Sequence, residues 1–272
     1  MAMIISKEII DFIKEGSKQG NIICLTGAGI SEESLVPTFR GNGGLWQKYD
    51  PDIFGTPGGL ISTFFSSPEK IVNFIHEFYR PILEARPNPA HLALAKMQDK
   101  KILASIITQN IDNLHQEAGS QDVIELHGNA FRRRCFHCNK TMAFTKQDII
   151  TFLKELDEFR LSRPRLLRAM GRYFPRCLCR GRNRIDIVLF KEELPQHALE
   201  ESYRQIDKAS ILLLIGTSGL VYPAAGLPSL AKSKGVGMIE INTEFSALSP
   251  ICNYTITGRA AEALPQILEK II

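Results

Sequence analysis

Six short apolar runs punctuate the chain: Ile22–Leu25, Ile102–Ile107, Val123–Leu126, Ile185–Leu189, Ile211–Ile215 and Val236–Ile241. Most are continuous rather than alternating, the pattern of strands covered on both faces of a parallel sheet. Parallel strands need crossover connections, and helical patterns such as Ala90–Met97 and Leu199–Ile206 lie between several of the runs. The expected fold class is therefore α/β, a doubly wound, mostly parallel sheet.

Two segments interrupt that alternation. Residues 47–85 are punctuated by Pro and Gly, then helical over Ser67–Phe78, with no strand signal. Residues 132–184 carry two close cysteine pairs, Cys135/Cys138 and Cys177/Cys179. Four thiolates on two knuckles suit a tetrahedral structural zinc, and such a closed site leaves no position for substrate. The single residue between Cys177 and Cys179 loosens the spacing, so a reduced, metal-free cluster is the alternative. His137 is a minor substitute ligand. Cys24 and Cys252 read as small buried hydrophobes.

The chain has 272 residues, 44% hydrophobic and 23% charged, enough for one large domain with an insert. Its net charge of +4 is uneven: Arg132 to Arg184 holds 15 Lys/Arg against 4 Asp/Glu, which is +11 there and −7 elsewhere. That segment is either a solvated basic face or a docking surface for an acidic partner. Without aromatic residues interleaved strongly among the basic ones, a nucleic-acid partner stays open but is not predicted. No run approaches the ~20 apolar residues that span a bilayer. The first residues are broken by Lys7, Glu8 and Asp11 and read as an amphipathic helix rather than a signal peptide. A cytoplasmic monomer is expected.

The chemistry gathers at the ends of the runs. Gln109-Asn110-Ile111-Asp112 follows Ile102–Ile107, and His127-Gly128 closes the next run. Polar groups at the carboxyl ends of parallel strands share one crevice, so an amide, a carboxylate and an imidazole converge there, with His127 as proton carrier. After the first run, Gly27-Ala28-Gly29 forms a Gly-x-Gly turn suited to a pyrophosphate. Glu32 stands where a third glycine is usual, so a plain tight turn is equally open from these residues alone. A lone histidine at a strand end is more often structural, and His115, in the helix after Asp112, reads as packing or capping.

The stretches GAGISEESLVPTFRG, TQNIDNLH, ELHG, VLFKE, GTSGLVYPAA and INTE, in that order, resemble the sirtuin family of NAD-dependent protein deacylases. The resemblance implies a Rossmann-like NAD-binding domain (1–46, 86–131 and 185–272), a helical excursion (47–85) and a small basic zinc-binding insert (132–184). It implies NAD contacts from Gly27, Ala28, Gly29, Phe39, Arg40 and Trp46, and from Gln109, Asn110, Ile111 and Asp112. Further contacts would come from Gly216, Thr217, Ser218, Asn242, Thr243, Glu244 and Ala260. Asn110 and Asp112 would position the reacting end of NAD. His127 would act as base, removing a ribose hydroxyl proton after the acyl-lysine oxygen has displaced nicotinamide. An acylated protein or peptide would lie against Val188, Leu189 and Phe190, with a partner strand from Gly216–Tyr222 that includes Val221. Gly55, Tyr79 and Ile82 would line the acyl group.

Three positions depart from the family pattern. Leu35 and Lys191 replace glycines; Leu35 is expected to narrow the nicotinamide pocket or restrict the cofactor loop, and Lys191 to add charge beside the peptide. Ile82 replaces the arginine that, with a tyrosine three residues earlier, reads acidic acyl groups in one subgroup, so a neutral acyl chain is expected. Protein mono-ADP-ribosyl transfer and a weakly active NAD-sensing or nucleic-acid-associated module are the competing functions.

Overall fold

The computed structural model describes residues 5–37 and 44–272. Among them are nine strands: β1 (Asn21–Thr26), β2 (Leu103–Thr108), β3 (Val123–Glu125), β4 (Gly128–Cys135), β5 (Thr141–Ala143), β6 (Asn183–Ile187), β7 (Ala209–Ile215), β8 (Gly237–Asn242) and β9 (Tyr254–Thr257). Six form one sheet in the order β3-β2-β1-β7-β8-β9, every neighbouring pair parallel. The other three form an antiparallel sheet, β5-β4-β6. The chain divides into two compact units. The first is Met1–Val36, Ala85–His127 and Leu194–Ile272; the second is Pro37–Glu84 and Gly128–Glu193.

In the first unit the continuous apolar runs serve two cores. Ile22 and Cys24 of β1, with Ile211, Leu213 and Ile215 of β7, enter one core beneath the helices Lys7–Gln19, Pro89–Asp99 and Ala260–Ile271. Their alternates Ile23, Leu25, Leu212 and Leu214 enter the other, beneath Gln196–Asp207 and Gly226–Ser233. A strand with consecutive apolar residues thus fills both faces, each Ile or Leu contributing roughly 1.5–3 kcal/mol by burial. Local signals set the helix starts. Ser6 Oγ accepts from Ile9 N, and Asn88 caps the helix begun by Pro89 in a reciprocal box with His91.

Ile185–Leu189 was expected in the parallel sheet. Instead β6 ends at Ile187 and pairs antiparallel with β4. Its residues alternate with Arg184 and Asp186, and only Asp186 is fully buried, held by Arg132 and Arg134. A strand built around a buried ion pair belongs to a thin polar sheet. The sixth parallel strand is β9, whose sequence Tyr-Thr-Ile-Thr has one fully buried residue, Ile256, as an edge strand allows.

The second unit contains both segments that were expected as separate excursions. Its helices include Leu45–Lys48, Pro51–Phe54, Pro57–Ser66, Pro68–Glu84, Lys146–Glu158 and Arg163–Tyr173. Rings take much of the packing: Tyr49, Phe54 and Phe74 lie 4.8–5.1 Å apart, and Phe144 and Phe152 flank Tyr173 at 4.2 and 3.9 Å. No helix among the described residues is long and apolar enough to cross a membrane.

Candidate active site and metal centre

Each parallel strand hands the chain to a segment singled out by sequence. β1 leads to Gly27–Gly29, β2 to Gln109–Asp112, β3 to His127, β7 to Gly216–Ser218, β8 to Asn242–Glu244 and β9 to Ala260. All six lie in the first unit, at the carboxyl edge of its sheet. The strand order places the topological switch between β1 and β7, where open α/β sheets hold their ligands.

The glycines at that switch are demanded by the protein itself. A Cβ on Gly27 would sit 2.7 Å from the Gly216 oxygen, and one on Gly29 would sit 2.8 Å from the Gly216 Cα. Gly216 has φ +56°, and a Cβ there would meet Ile30 N at 2.4 Å. The two strand-end loops therefore pass back to back, with backbone amides where side chains would otherwise stand.

Beneath them lies a buried polar network. Ser31 Oγ donates to Asp112 Oδ2 (2.7 Å) and accepts from Asn110 Nδ2 (3.1 Å). Asn110 Nδ2 also donates to the Gly27 carbonyl (3.1 Å), and Asp112 Oδ1 accepts from Leu114 N (3.0 Å). Burial raises the Asp112 pKa despite these bonds, which pull it down. Two buried imidazoles extend the network. His91 Nδ1 accepts from Asn88 N, so its Nε2–H faces Ser31 Oγ at 3.4 Å. His115 Nε2 lies 3.0 Å from Thr26 Oγ1, and the two rings are 4.9 Å apart. Burial lowers the His91 pKa to about 4 and the His115 pKa to about 3, the latter helped by His91. His115 is buried within this packing. Ser31 and His91 were not singled out from sequence; the Asn-Pro-x-His capping box at 88–91 was the available signal for His91.

His127 differs from both. Its Nδ1 lies 2.9 Å from the Gln109 carbonyl, which can only accept, so Nδ1 carries the proton and Nε2 keeps a lone pair. Burial lowers its pKa while the Gln109 bond opposes the shift, so the imidazole is neutral near pH 7. The Gln109 side chain donates to Thr217 Oγ1 (2.9 Å), and Asn242 Nδ2 donates to the Thr217 carbonyl (3.3 Å). These bonds tie the ends of β2, β7 and β8 together. Ser218, Thr243 and Glu244 are exposed, while Ala260 is buried at the start of the terminal helix. Phe39 and Arg40 lie outside the described residues.

Leu35, expected to intrude on the pocket or the cofactor loop, is 85% exposed with φ +62°, capping the short 3-10 helix Ala28–Ser34. The left-handed turn survives without its glycine, and the side chain goes to solvent. Lys191 likewise has φ +69°, and its Nζ lies 3.4 Å from Asp52 with both side chains exposed.

The remaining candidates lie in the second unit. The Trp46 ring is 5.4 Å from that of Phe190, and Phe190 N donates to the Gly55 carbonyl (2.8 Å). A Cβ on Gly55 would collide with the Phe190 ring at 2.4 Å. Tyr79 is buried with its hydroxyl donating to the Ala130 carbonyl (3.2 Å), and Ile82 is buried one turn on. Val188 and Leu189 follow β6 outside any strand, and Leu189 N donates to Glu192 Oε2. In the first unit, Val221 lies in the loop that follows Gly216.

The cysteines converge in the same second unit. The sulfurs of Cys135, Cys138, Cys177 and Cys179 all lie within 4.8 Å of one another, with Cys135–Cys179 at 3.5 Å and Cys138–Cys177 at 3.6 Å. These separations are far beyond a disulfide and match the ~3.8 Å edge of a tetrahedron with ~2.3 Å zinc–sulfur bonds. Each knuckle closes on a left-handed residue, Asn139 (φ +58°) and Arg180 (φ +66°). Arg180 N donates to the Cys177 carbonyl (2.7 Å) and Cys177 N to the Gly181 carbonyl (2.9 Å), which lets a one-residue spacer do the work of two. His137 lies outside this ligand set.

Comparison with known proteins agrees with this geometry. The sequence model of the Sir2 family, the sirtuins, matches residues 27–223. The NAD-dependent protein deacylase of Pyrococcus abyssi is 41% identical over 97% of this chain and 98% of its own. That of Pyrococcus furiosus is 42% identical over 94% of each. A solved structure described as Sir2 with a p53 peptide and NAD+ superposes with a TM-score of 0.75 at 34% identity, covering 98% of both chains. With the family's motifs at the carboxyl edge of the sheet and its four-cysteine cluster in place, the chain belongs to the Sir2 family.

Proposed function

We propose that the protein is an NAD-dependent protein-lysine deacylase that yields nicotinamide, free lysine and O-acyl-ADP-ribose. The observation that carries this reading is His127, locked by the Gln109 carbonyl in the tautomer that leaves Nε2 free as a base. NAD, when bound, supplies the ribose that accepts the acyl group. The amides of Gly27, Ala28 and Gly29, with Gly216, Thr217 and Ser218, hold the diphosphate. Asn242, Thr243 and Glu244 hold the adenosine ribose, with Ala260 beside the adenine. Gln109 takes the nicotinamide ribose, and Asn110, Ile111 and Asp112 orient the nicotinamide end, Asn110 and Asp112 steadied by Ser31. His127 Nε2 removes the ribose hydroxyl proton in a site that burial keeps from charging the imidazole.

The peptide lies along Val188–Phe190 and pairs through groups not already taken, since Phe190 N and Leu189 N are engaged. Neutral acyl groups are favoured. The Tyr79 hydroxyl is committed to Ala130, and the apolar Ile82 offers an acyl carboxylate no cation. Gly55, small and close to Phe190, completes the acyl side. Cys135, Cys138, Cys177 and Cys179 hold a structural zinc. The protein acts in the cytoplasm, where such thiolates stay reduced, as a monomer.

Mass spectrometry of reactions with acetyl-, succinyl- and longer acyl-lysine peptides tests the reading. The expected products are nicotinamide and O-acyl-ADP-ribose, fastest with neutral acyl groups, with O-acyl-ADP-ribose formation slowed about 10²–10⁴-fold in His127→Ala. Label from NAD retained on protein without acyl-ADP-ribose would instead establish ADP-ribosyl transfer; fastest turnover of succinyl-lysine would overturn the acyl preference.

A further inference from the structure

The basic segment takes no part in that chemistry, and its composition is unlike the rest of the chain. Between Arg132 and Arg184 arginine outnumbers lysine 12 to 3, whereas elsewhere lysine outnumbers arginine 13 to 5. The structure sorts these arginines. Arg132 and Arg134 pair with buried Asp186, Arg133 donates to the Tyr173 carbonyl, and Arg184 pairs with Glu192. Arg160 and Arg172 face Asp157 and Glu155. Six remain exposed without an acidic partner among the described residues: Arg163, Arg165, Arg168, Arg176, Arg180 and Arg182.

Three of the six lie on the helix Arg163–Tyr173, which contains no acidic residue and buries only Leu166, Ala169 and Tyr173. The other three flank or follow the second cysteine pair, and the Arg182 carbonyl accepts from Phe136 N at 3.0 Å. That bond ties the first knuckle to the arginine-rich one. The Phe136 ring is 63% exposed, with the Arg184 guanidinium 4.8 Å from its centroid. An exposed ring on this knuckle, in the same unit as six exposed arginines without an acidic partner, offers a stacking surface together with phosphate-binding forks.

We propose that the basic segment of the second unit binds single-stranded nucleic acid, arginines on the phosphates and Phe136 against a base. A lipid surface reads positive charge and accepts lysine as readily. The local exchange of lysine for arginine favours a partner whose oxygens match the planar fork and whose bases stack. A duplex offers the phosphates but hides the base faces that Phe136 would use.

Fluorescence anisotropy of the zinc-loaded full chain with a labelled oligothymidylate, a matched duplex and anionic phospholipid vesicles tests this. About four phosphate contacts give a log–log salt slope near −3, or about a 50-fold loss of affinity from 50 to 200 mM salt. Arg163→Gln with Arg168→Gln and Arg182→Gln should weaken binding about tenfold or more and flatten that slope. Phe136→Ala should weaken it about fivefold or more with the slope unchanged. Zinc content and peptide deacylation should match wild type in both variants, which separates a lost surface from a lost fold. Salt-insensitive or absent binding, preference for duplex or vesicles, or folded variants that bind like wild type would each overturn the proposal.

Discussion

At the scale of single residues, His127 carries the sharpest expectation. Its pKa is held below 6.5 by burial, so kcat/KM should be flat near pH 7 and fall on the acid side with a midpoint below 6.5. An acid limb centred at or above 6.5 would remove His127 as the base. His127→Ala should lower kcat by about 10²–10⁴-fold with the fold intact by circular dichroism. Leu35 and Lys191 both occupy left-handed backbone, a conformation that costs a non-glycine residue roughly 1–2 kcal/mol. Leu35→Gly should relieve that strain and raise Tm by up to about 4 °C; a lower Tm would show that the leucine side chain is stabilising. His127, Asn110 and Asp112 were legible from sequence because polar residues following an apolar run have one place to go. Ser31 and His91 were not, because no periodicity reports which hydroxyl or ring a buried carboxylate will find.

The elements show where the pattern of a sequence speaks and where it is silent. Strands β1, β2 and β7 announced themselves by consecutive apolar residues, a consequence of filling two cores at once. β9 escaped notice as an edge strand with one fully buried residue, and β6 was misplaced because an apolar run does not say which sheet it joins. Glycines at strand ends were legible as a ligand-binding signal, but their steric cause lies in a loop nearly 190 residues away in sequence. Gly216→Ala combines a left-handed φ with a 2.4 Å approach to Ile30 N, and it should abolish detectable NAD binding while lowering Tm. Retained NAD affinity by calorimetry would contradict the back-to-back loops. Removal of metal by a chelator should melt the β5-β4-β6 region, read as lost protection in hydrogen exchange across 128–187, whereas Cys252→Ser should change nothing there. Unchanged protection in the metal-free protein would make the cysteine cluster dispensable.

The whole molecule is expected to respond to pH through its buried histidines. His91 and His115 titrate near 4 and 3 in the folded protein against about 6.5 unfolded. The unfolded chain therefore binds more protons below 6.5, so stability is full above that value and drains as pH falls toward 4. Asp112 runs the other way: its raised pKa favours the folded state only below the window in which carboxylates ionise. Three such histidines, His127 included, against one carboxylate leave a net loss on acidification. Tm should fall between pH 6.5 and 4.5, and more shallowly in the double variant His91→Gln/His115→Gln; equal slopes would place the acid sensitivity elsewhere. Composition told of a basic module inside an otherwise acidic chain, yet not that residues 47–84 join it in one compact unit. That union depends on contacts between segments far apart in sequence, to which local patterns are blind.

The order in which the two units are completed along the chain has a consequence for biosynthesis. The second unit is complete at Glu193, while β1 must wait for its neighbour β7, which begins at Ala209. A chain emerging from the ribosome thus finishes the unit with the cysteine cluster while the parallel sheet still lacks half its strands. Metal loading can precede formation of the carboxyl-edge crevice, so a shortage of zinc would act on the folding of this chain before its parallel sheet is complete.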